Sequence, residues 1–217
     1  MQQNISIPIA IVIAGLLIGG AIIYSNNSER EYSSNPGEES LSDTSDTIDP
    51  GDHIQGNPEA LITIVEFSDF ECSFCANFSQ TMDQIVKEYQ NDVKWAYRHF
   101  PLGFHNNAQP AAEASECAAE QNMFWAFHDG LFENQADLGL DLYLKLAQDL
   151  NLDVDQLEDC ISSRKYKDKV EDDYQVGIQN GVEGTPGNFI NGVPLGGAVS
   201  YSQLKDRIDL LLEGGNN

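Results

Sequence analysis

The stretch LITIVEFSDFECSFC, residues 61–75, decides the fold of this chain. Its first seven residues are apolar or β-branched apart from Glu66, a composition typical of a short buried strand. A CxxC motif then opens a stretch with helical periodicity that runs to about residue 89. A cysteine pair placed where a strand gives way to a helix predicts a thiol–disulfide redox site. The motif consists of Cys72, Ser73, Phe74 and Cys75.

Two cysteines three residues apart lie on one face of a helix, so the sulfurs of Cys72 and Cys75 can meet in a disulfide. The first cysteine lies at the helix N-terminus, where free backbone N–H groups and the helix dipole stabilise a thiolate. We therefore expect Cys72 to be the nucleophile. Cys75 lies deeper and is expected to be the resolving thiol.

Two other interpretations of the CxxC motif stay open. A structural zinc site needs four ligands, usually with a second close pair, whereas the remaining cysteines, Cys117 and Cys160, are isolated in the sequence. A purely structural disulfide within the motif is the second alternative, and the strand–helix context disfavours it. We expect neither a metal ion nor another cofactor.

The acidic residue of the first strand is a further candidate for catalysis. Glu66 lies six residues before Cys72 and, by strand alternation, shares a face with Ile62 and Ile64. An exposed strand carboxylate is one interpretation. The favoured one is a buried acid beneath the disulfide, with a raised pKa, which exchanges a proton with Cys75.

The rest of the chain builds outward from this strand and helix. Residues 93–100 (VKWAYRHF) predict a second strand, and strand, helix and strand in close succession indicate a βαβ unit with parallel strands. Short apolar runs on both sides of Asn191-Gly192 predict a hairpin, and residues 201–212 predict an amphipathic helix. Helical patterns occupy the region between, at 110–135, 141–150, 154–161 and 166–179. This order predicts an α/β, thioredoxin-like fold with a helical subdomain inserted at about 105–180.

The N-terminal residues have a different composition. Residues 5–24 read ISIPIAIVIAGLLIGGAIIY and contain no charged side chain. A helix of that length spans about 30 Å, the thickness of a bilayer's hydrocarbon core. A cleaved signal peptide is the alternative, but the apolar run continues past its small residues. We predict a single-pass membrane anchor over residues 1–24, in contact with the lipid bilayer through residues 5–24. Because disulfides persist in oxidising compartments, we expect an extracytoplasmic catalytic domain at the cell membrane.

An acidic segment separates this anchor from the folded part. Residues 25–57 hold eight Asp and Glu residues against Arg30 alone. Such a segment cannot bury enough apolar surface to offset its ordering entropy, which predicts a disordered linker over residues 25–55. The folded domain is expected at residues 56–217. The net charge of the whole chain, −24, argues against nucleic acid as a partner.

Residues 56–212 resemble the DsbA-like family of extracytoplasmic thiol–disulfide oxidoreductases. The resemblance rests on motifs in a fixed order: FSDFECSFC at 67–75, YRHFPL at 97–102, CAAEQ at 117–121 and GTP at 184–186. The chain departs from the family at Ser73, where a proline is usual, and at Gly187-Asn188. The family's helix-inserted thioredoxin-like fold is therefore expected.

The resemblance also implies roles for individual residues. Thr185-Pro186 is expected to be a cis peptide that faces the redox pair, with the Thr185 backbone open to an extended substrate. Glu66 matches the position of the family's buried acid. Cys117 and Cys160 lie where many relatives carry an additional pair. A stabilising bridge is favoured there over a second redox relay.

The favoured function is that of a dithiol oxidase which introduces disulfides into unfolded or reduced exported proteins. A membrane redox partner would then reoxidise the cysteine pair. The residues between the two sulfurs tune the reduction potential, so Ser73 leaves the direction of electron flow open. The alternatives are a disulfide reductase or isomerase, and a non-enzymatic envelope assembly or chaperone module whose CxxC is structural.

Overall fold

The computed structural model describes residues 48–214, which contain a five-stranded sheet in the order β1-β3-β2-β4-β5. The central strand β2 (Ile62–Ser68) pairs in parallel with β3 (Val93–His99) and antiparallel with β4 (Gly187–Ile190). The edge strands β1 (His53–Gly56) and β5 (Val193–Gly196) are antiparallel to their neighbours. The predicted parallel βαβ unit and hairpin are both present.

Helices cover both faces of the sheet. Helix α1 (Ser73–Glu88) packs Phe78, Met82 and Ile85 onto the face that carries Ile64, together with the C-terminal helix α7 (Tyr201–Gly214). The four helices that follow β3 add to this core, and α6 (Lys167–Gln179) covers the other face. Those four are α2 (Ala108–Ala119), α3 (Phe124–Glu133), α4 (Leu140–Asp149) and α5 (Val154–Ser162). The thioredoxin-like α/β fold with a helical insertion is thus confirmed.

The helical stretch expected at residues 110–135 is in fact two helices. They are separated by a turn in which Asn122 has a φ of 60° and the Met123 N–H bonds to the Ala118 carbonyl. Asparagine is one of the few residues that tolerates this left-handed backbone conformation. The break therefore depends on one residue type and leaves the apolar periodicity of both helices intact.

The expectation of a disordered linker up to residue 55 is wrong for residues 48–55. Strand β1 hydrogen-bonds to β3 from His53 to Gly56. Two of the acidic residues, Asp49 and Asp52, bind the buried guanidinium of Arg98 at 2.8–2.9 Å. These carboxylates therefore form charge-assisted hydrogen bonds with a buried guanidinium instead of solvating a flexible chain.

The remaining N-terminal predictions, the anchor at 1–24 and the linker at 25–47, lie outside the described residues. Within the part of the chain that the structure covers, no helix combines the length and the apolar character needed to cross a bilayer.

The expected pairing of Cys117 with Cys160 is present as a disulfide between α2 and α5. The bridge closes a loop with a sequence separation of 43 residues. A loop of that length is worth about 4 kcal/mol through the restricted unfolded chain. Both cysteines are buried against apolar neighbours, and Cys160 also lies near the Glu120 carboxylate.

We expect the double variant Cys117→Ala/Cys160→Ala to lose about 4 kcal/mol of unfolding free energy while it keeps its CxxC chemistry. Urea unfolding of both proteins, with Cys72 and Cys75 oxidised, measures the difference. An unfolding midpoint equal to that of the parent protein would contradict a stabilising role for the bridge.

Candidate active site

The two cysteines of the motif lie at the point where β2 leads into α1. Cys72 is the N-cap of the helix, and its carbonyl accepts the N–H groups of Cys75 and Ala76 at 3.1 and 3.2 Å. Cys72 and Cys75 both carry free thiols. The Cys72 residue is 6% exposed and Cys75 is fully buried. The sulfur that can meet a partner is therefore that of Cys72.

The two thiols differ strongly in acidity. The hydrogen bond from Cys75 contributes most to lowering the pKa of Cys72 from 9.0 to about 5, against the effect of burial. Thr185 and the backbone N–H groups of Cys75 and Phe74 lower this pKa further. Burial raises the pKa of Cys75 far above its ordinary range, and Cys72 and Glu66 add to that rise. Near neutral pH the pair is one thiolate and one thiol.

Glu66 lies on the inner face of β2, as its alternation with Ile64 indicates, and it is fully buried. Burial raises the pKa of its carboxyl from 4.5 to about 8, although Ser68 and Trp95 counteract the rise. Neither carboxyl oxygen has a hydrogen bond of ordinary geometry among the described residues. The side chain is therefore largely a neutral acid at pH 7, close enough to Cys75 to raise the pKa of that thiol.

Across the site from α1 lies the loop that leads into β4. The Thr185–Pro186 peptide bond is cis, and the Thr185 carbonyl oxygen lies 3.4 Å from the Cys72 sulfur. The loop and the edge strand β5 border a groove of about 440 Å³. The expected juxtaposition of this dipeptide with the cysteine pair is thus observed.

Gly187 and Asn188, at which the sequence departs from the family, have structural explanations. A Cβ atom at residue 187 would lie 2.6 Å from a methyl group of Val182, so the close approach of these two segments requires glycine. Asn188 is buried and lies opposite Glu66 in the β2–β4 register. Its side-chain amide donates a hydrogen bond to the Gly197 carbonyl at 3.1 Å, and both residues also line the groove.

Two acidic residues near Cys72 hold the loop that follows β3. Asp69 is buried and accepts hydrogen bonds from the Leu102 N–H at 2.7 Å and from the His105 ring at 2.8 Å. Glu71 accepts the Asn107 N–H at 2.6 Å. Sequence reasoning did not assign Asp69 this role, because its partners lie more than thirty residues further along the chain.

Two exposed aromatic side chains belong to these segments. Phe74, within the motif, is 64% exposed, and Phe104, in the loop held by Asp69, is 75% exposed. Phe74 lies within the motif, two residues from Cys72, so at least one large apolar side chain is available to a protein that approaches the reactive sulfur.

One group of side chains among residues 48–214 has the spacing of metal ligands: His99, Glu116 and Asp173. A cation of the protein already lies beside it, because the Lys169 ammonium is 2.6 Å from Asp173 and 3.9 Å from Glu116. Burial alone would raise the pKa of Glu116, but hydrogen bonds from His53 and His99 hold it well below its usual range. The negative charges of Glu116 and Asp173 are therefore offset by neighbouring side chains of the protein itself.

The comparisons with known proteins agree with this geometry. Residues 48–210 match the model of a family described as "Thioredoxin". Among solved structures, BdbD from Bacillus subtilis has 27% sequence identity and a TM-score of 0.69, over 75% of this chain and 94% of that one. A thioredoxin-like oxidoreductase from Silicibacter pomeroyi has the same identity and TM-score, over 76% and 94% of the two chains. The alpha-DsbA1 protein of Wolbachia pipientis is 26% identical, with a TM-score of 0.68 over 76% and 92%.

Curated relatives match over a part of their length only. The protein named Na(+)/H(+) antiporter NhaA 3 of Salinispora tropica is 37% identical over 147 residues, which are 67% of this chain and 22% of that protein. The chain spans about a fifth of the length of the curated relatives it matches. The match of the family model over most of the chain, the cis-proline loop opposite the CxxC helix and the DsbA-like neighbours agree. The chain belongs to the thioredoxin family, in its group of DsbA-like thiol–disulfide oxidoreductases.

Proposed function

We propose that this protein is a dithiol oxidase that introduces disulfides into exported proteins. The observation that carries the proposal is the unequal acidity of the pair, with a Cys72 pKa of about 5 and a Cys75 pKa far above its ordinary range. A stabilised thiolate favours the reduced form, and a disulfide whose reduced form is stabilised is a strong oxidant. Electrons would therefore flow from substrate thiols to the Cys72–Cys75 disulfide.

The first step is attack of a substrate thiolate on the sulfur of Cys72. A bond forms between the substrate sulfur and Cys72, the Cys72–Cys75 bond breaks, and Cys75 leaves as a thiolate. Because the pKa of Cys75 is far above its ordinary range, this thiolate takes up a proton. The neutral carboxyl of Glu66, with a pKa of about 8, is the nearby acid that supplies it.

In the second step a second substrate thiolate attacks the substrate sulfur of the mixed disulfide. A disulfide forms within the substrate, which is oxidised by two electrons, and Cys72 leaves. A thiol with a pKa of about 5 leaves as a stable anion without any proton. An external oxidant, which we assign to a membrane redox partner, must then take two electrons from the dithiol.

The substrate side of the proposal rests on the loop opposite the pair. The Thr185 carbonyl oxygen lies 3.4 Å from the Cys72 sulfur, so it lies where the backbone of an extended chain could pair beside the sulfur. Exposed Phe74 and Phe104 would contact apolar side chains that only an unfolded substrate presents. We propose unfolded or reduced exported proteins as the substrates for these two reasons.

The proposed location is the outer side of the cell membrane, with residues 5–24 in the bilayer. Support comes from the uncharged run at 5–24 and from the disulfide between Cys117 and Cys160, a bond that is typical of oxidising compartments. The antiporter activity in the names of the curated relatives is not part of the proposal, because the site described above is a thiol pair.

A redox titration of the pair tests the direction of electron flow. We expect a reduction potential less negative than about −200 mV, towards the ~−120 mV of a strong oxidant. The Cys117→Ala/Cys160→Ala variant is titrated beside the parent protein as a control, because Cys72 and Cys75 are its only cysteines. A potential near ~−270 mV would instead support the reductase alternative.

A further inference from the structure

A band of polar side chains crosses the inner face of the sheet beneath the CxxC helix. In the strand register, Glu66 of β2 lies opposite Tyr97 of β3 on one side and Asn188 of β4 on the other. Two residues further along β2, Ser68 lies opposite His99. Side chains that face each other across neighbouring strands have Cβ atoms about 5 Å apart, so this band forms one cluster.

The cluster is buried, and several of its polar atoms have no hydrogen bond within residues 48–214. The side chains of Glu66, Ser68 and Tyr97 are each at most 1% exposed. Both carboxyl oxygens, the Ser68 hydroxyl and the Tyr97 hydroxyl have no partner of ordinary geometry there. Buried polar atoms are normally paired, and a redox or catalytic role is one of the recognised explanations for those that are not.

Ser68 is the member of this cluster that acts on Glu66, on Tyr97 and on the Cys75 thiol above them. Its hydroxyl lowers the pKa of Glu66, of Cys75 and of Tyr97, in each case by favouring the anionic form. A hydroxyl can donate one hydrogen bond and accept two, so it can connect a protonated carboxyl to a thiolate. Neither Glu66 nor Tyr97 lowers the pKa of its neighbours in this way.

We propose that Ser68 is a positioning residue that carries the proton between the Glu66 carboxyl and the Cys75 sulfur. The Ser68 hydroxyl donates its proton to the Cys75 thiolate and accepts the proton of the carboxyl. The result is a Cys75 thiol, an unchanged serine and a Glu66 carboxylate. In the reverse direction the carboxylate accepts the proton of the thiol by the same path. This inference rests on the proposed function, because it needs Cys75 to act as a leaving group.

Other titratable groups face the same space and do not replace Glu66 as the proton donor. Burial raises the pKa of Tyr97 well above its ordinary value, so its hydroxyl stays protonated, and burial lowers the pKa of His128 on α3. The His99 ring is bound to Glu116 at 2.9 Å. Asp69 accepts three hydrogen bonds, from a ring and two backbone N–H groups. Cys72, the N-cap of α1, is bonded to the substrate sulfur at this step and has no proton to donate.

The test is a pH profile of the reduction of the oxidised protein by excess dithiothreitol, followed by thiol alkylation. Correction for the thiolate fraction of the reagent leaves the dependence on the protein. For the parent protein we expect the corrected rate to fall as pH rises through about 8, because Glu66 then loses the proton that Cys75 needs. Ser68→Ala should lose this inflection and react at least about tenfold more slowly at pH 7.

Three further variants separate a relay from a packing effect. Ser115→Ala removes another fully buried hydroxyl, bonded to the Ala112 carbonyl far along the chain in α2, and should leave the profile unchanged. Ser68→Thr keeps the hydroxyl and should keep the inflection, even if the added methyl group lowers stability. The double variant Glu66→Gln/Ser68→Ala should be no slower than the slower single variant, because both act in one step.

The outcomes that overturn the inference differ from those that overturn the proposed function. An inflection that depends on Glu66 but survives in Ser68→Ala, or losses that add in the double variant, would overturn the role of Ser68 while the oxidase stands. A parent protein without any inflection near pH 8 would also overturn it. A strongly negative reduction potential would overturn the oxidase and leave the Ser68 result to be interpreted in the reverse direction.

Discussion

A Cys75→Ser variant is expected to accumulate mixed disulfides with reduced, unfolded proteins, whereas Cys72→Ser is expected to form none. The reason lies in the burial and acidity of the two thiols. Cys72 is the partly accessible sulfur with a pKa of about 5, and Cys75 is fully buried. Without Cys75, an adduct on Cys72 with a substrate that has a single cysteine must wait for an external thiol. Loss of the intramolecular reaction should lengthen the adduct's lifetime at least about a thousandfold.

The experiment starts from the variant activated at its remaining thiol as a mixed disulfide with a small aromatic thiol. A reduced, unfolded polypeptide with a single cysteine is added, so that no second substrate thiol can release the adduct. The mixture is quenched with acid and alkylated, and adducts are separated without reductant. The Cys117→Ala/Cys160→Ala background removes every other cysteine from the protein. Adducts in the Cys72→Ser variant at the level of Cys75→Ser would show that the roles of the two sulfurs are not those proposed.

The second large effect concerns stability. Glu66→Gln is expected to stabilise the oxidised protein against urea by an amount that grows with pH. The carboxyl has a pKa of about 8 in the folded protein and 4.5 as its ordinary value. Between these values the unfolded chain releases a proton that the folded protein retains, so the parent protein loses stability as pH rises. The loss is about 1.4 kcal/mol per pH unit and on the order of 4 kcal/mol by pH 8.

Urea unfolding at pH 5, 6.5 and 8 measures this difference. The oxidised proteins are used, because the titration of Cys72 and Cys75 is then absent. The difference between Glu66→Gln and the parent protein should be small at pH 5 and largest at pH 8. If the unfolding free energies of the two proteins differ by the same amount at all three pH values, the fold does not hold the carboxyl neutral. The reduction rate of Glu66→Gln should also lack the inflection near pH 8 that is expected for the parent protein. The same carboxyl would then account for both the stability and the rate.

Much of the site could be predicted from short motifs because each one has a local physical meaning. The position of Cys72 follows from the junction of strand and helix, and the inward orientation of Glu66 follows from strand alternation. The pairing of Thr185-Pro186 with the cysteines came from the family resemblance, since residues more than a hundred positions apart carry no local signal of contact.

Other features became visible only when the strand register was known. The four residues of β1 have no apolar alternation, and their order depends on the free edge of β3 and on Arg98. Ser68 and Asn188 are single polar residues in short strands, and their common position around Glu66 depends on which strands pair. The same holds for Asp69, whose partners belong to the loop after β3.

The way in which β1 joins the sheet determines where a pull on the chain reaches the domain. Since β1 is antiparallel to β3, its first residue lies opposite Tyr97, towards the end of the sheet at which β2 leads to Cys72. Two strand spacings, roughly 10 Å, separate β1 from β2 across the sheet. A force applied through Asp49 or Asp52 therefore enters the sheet at Arg98 of β3, the strand that lies directly beside β2.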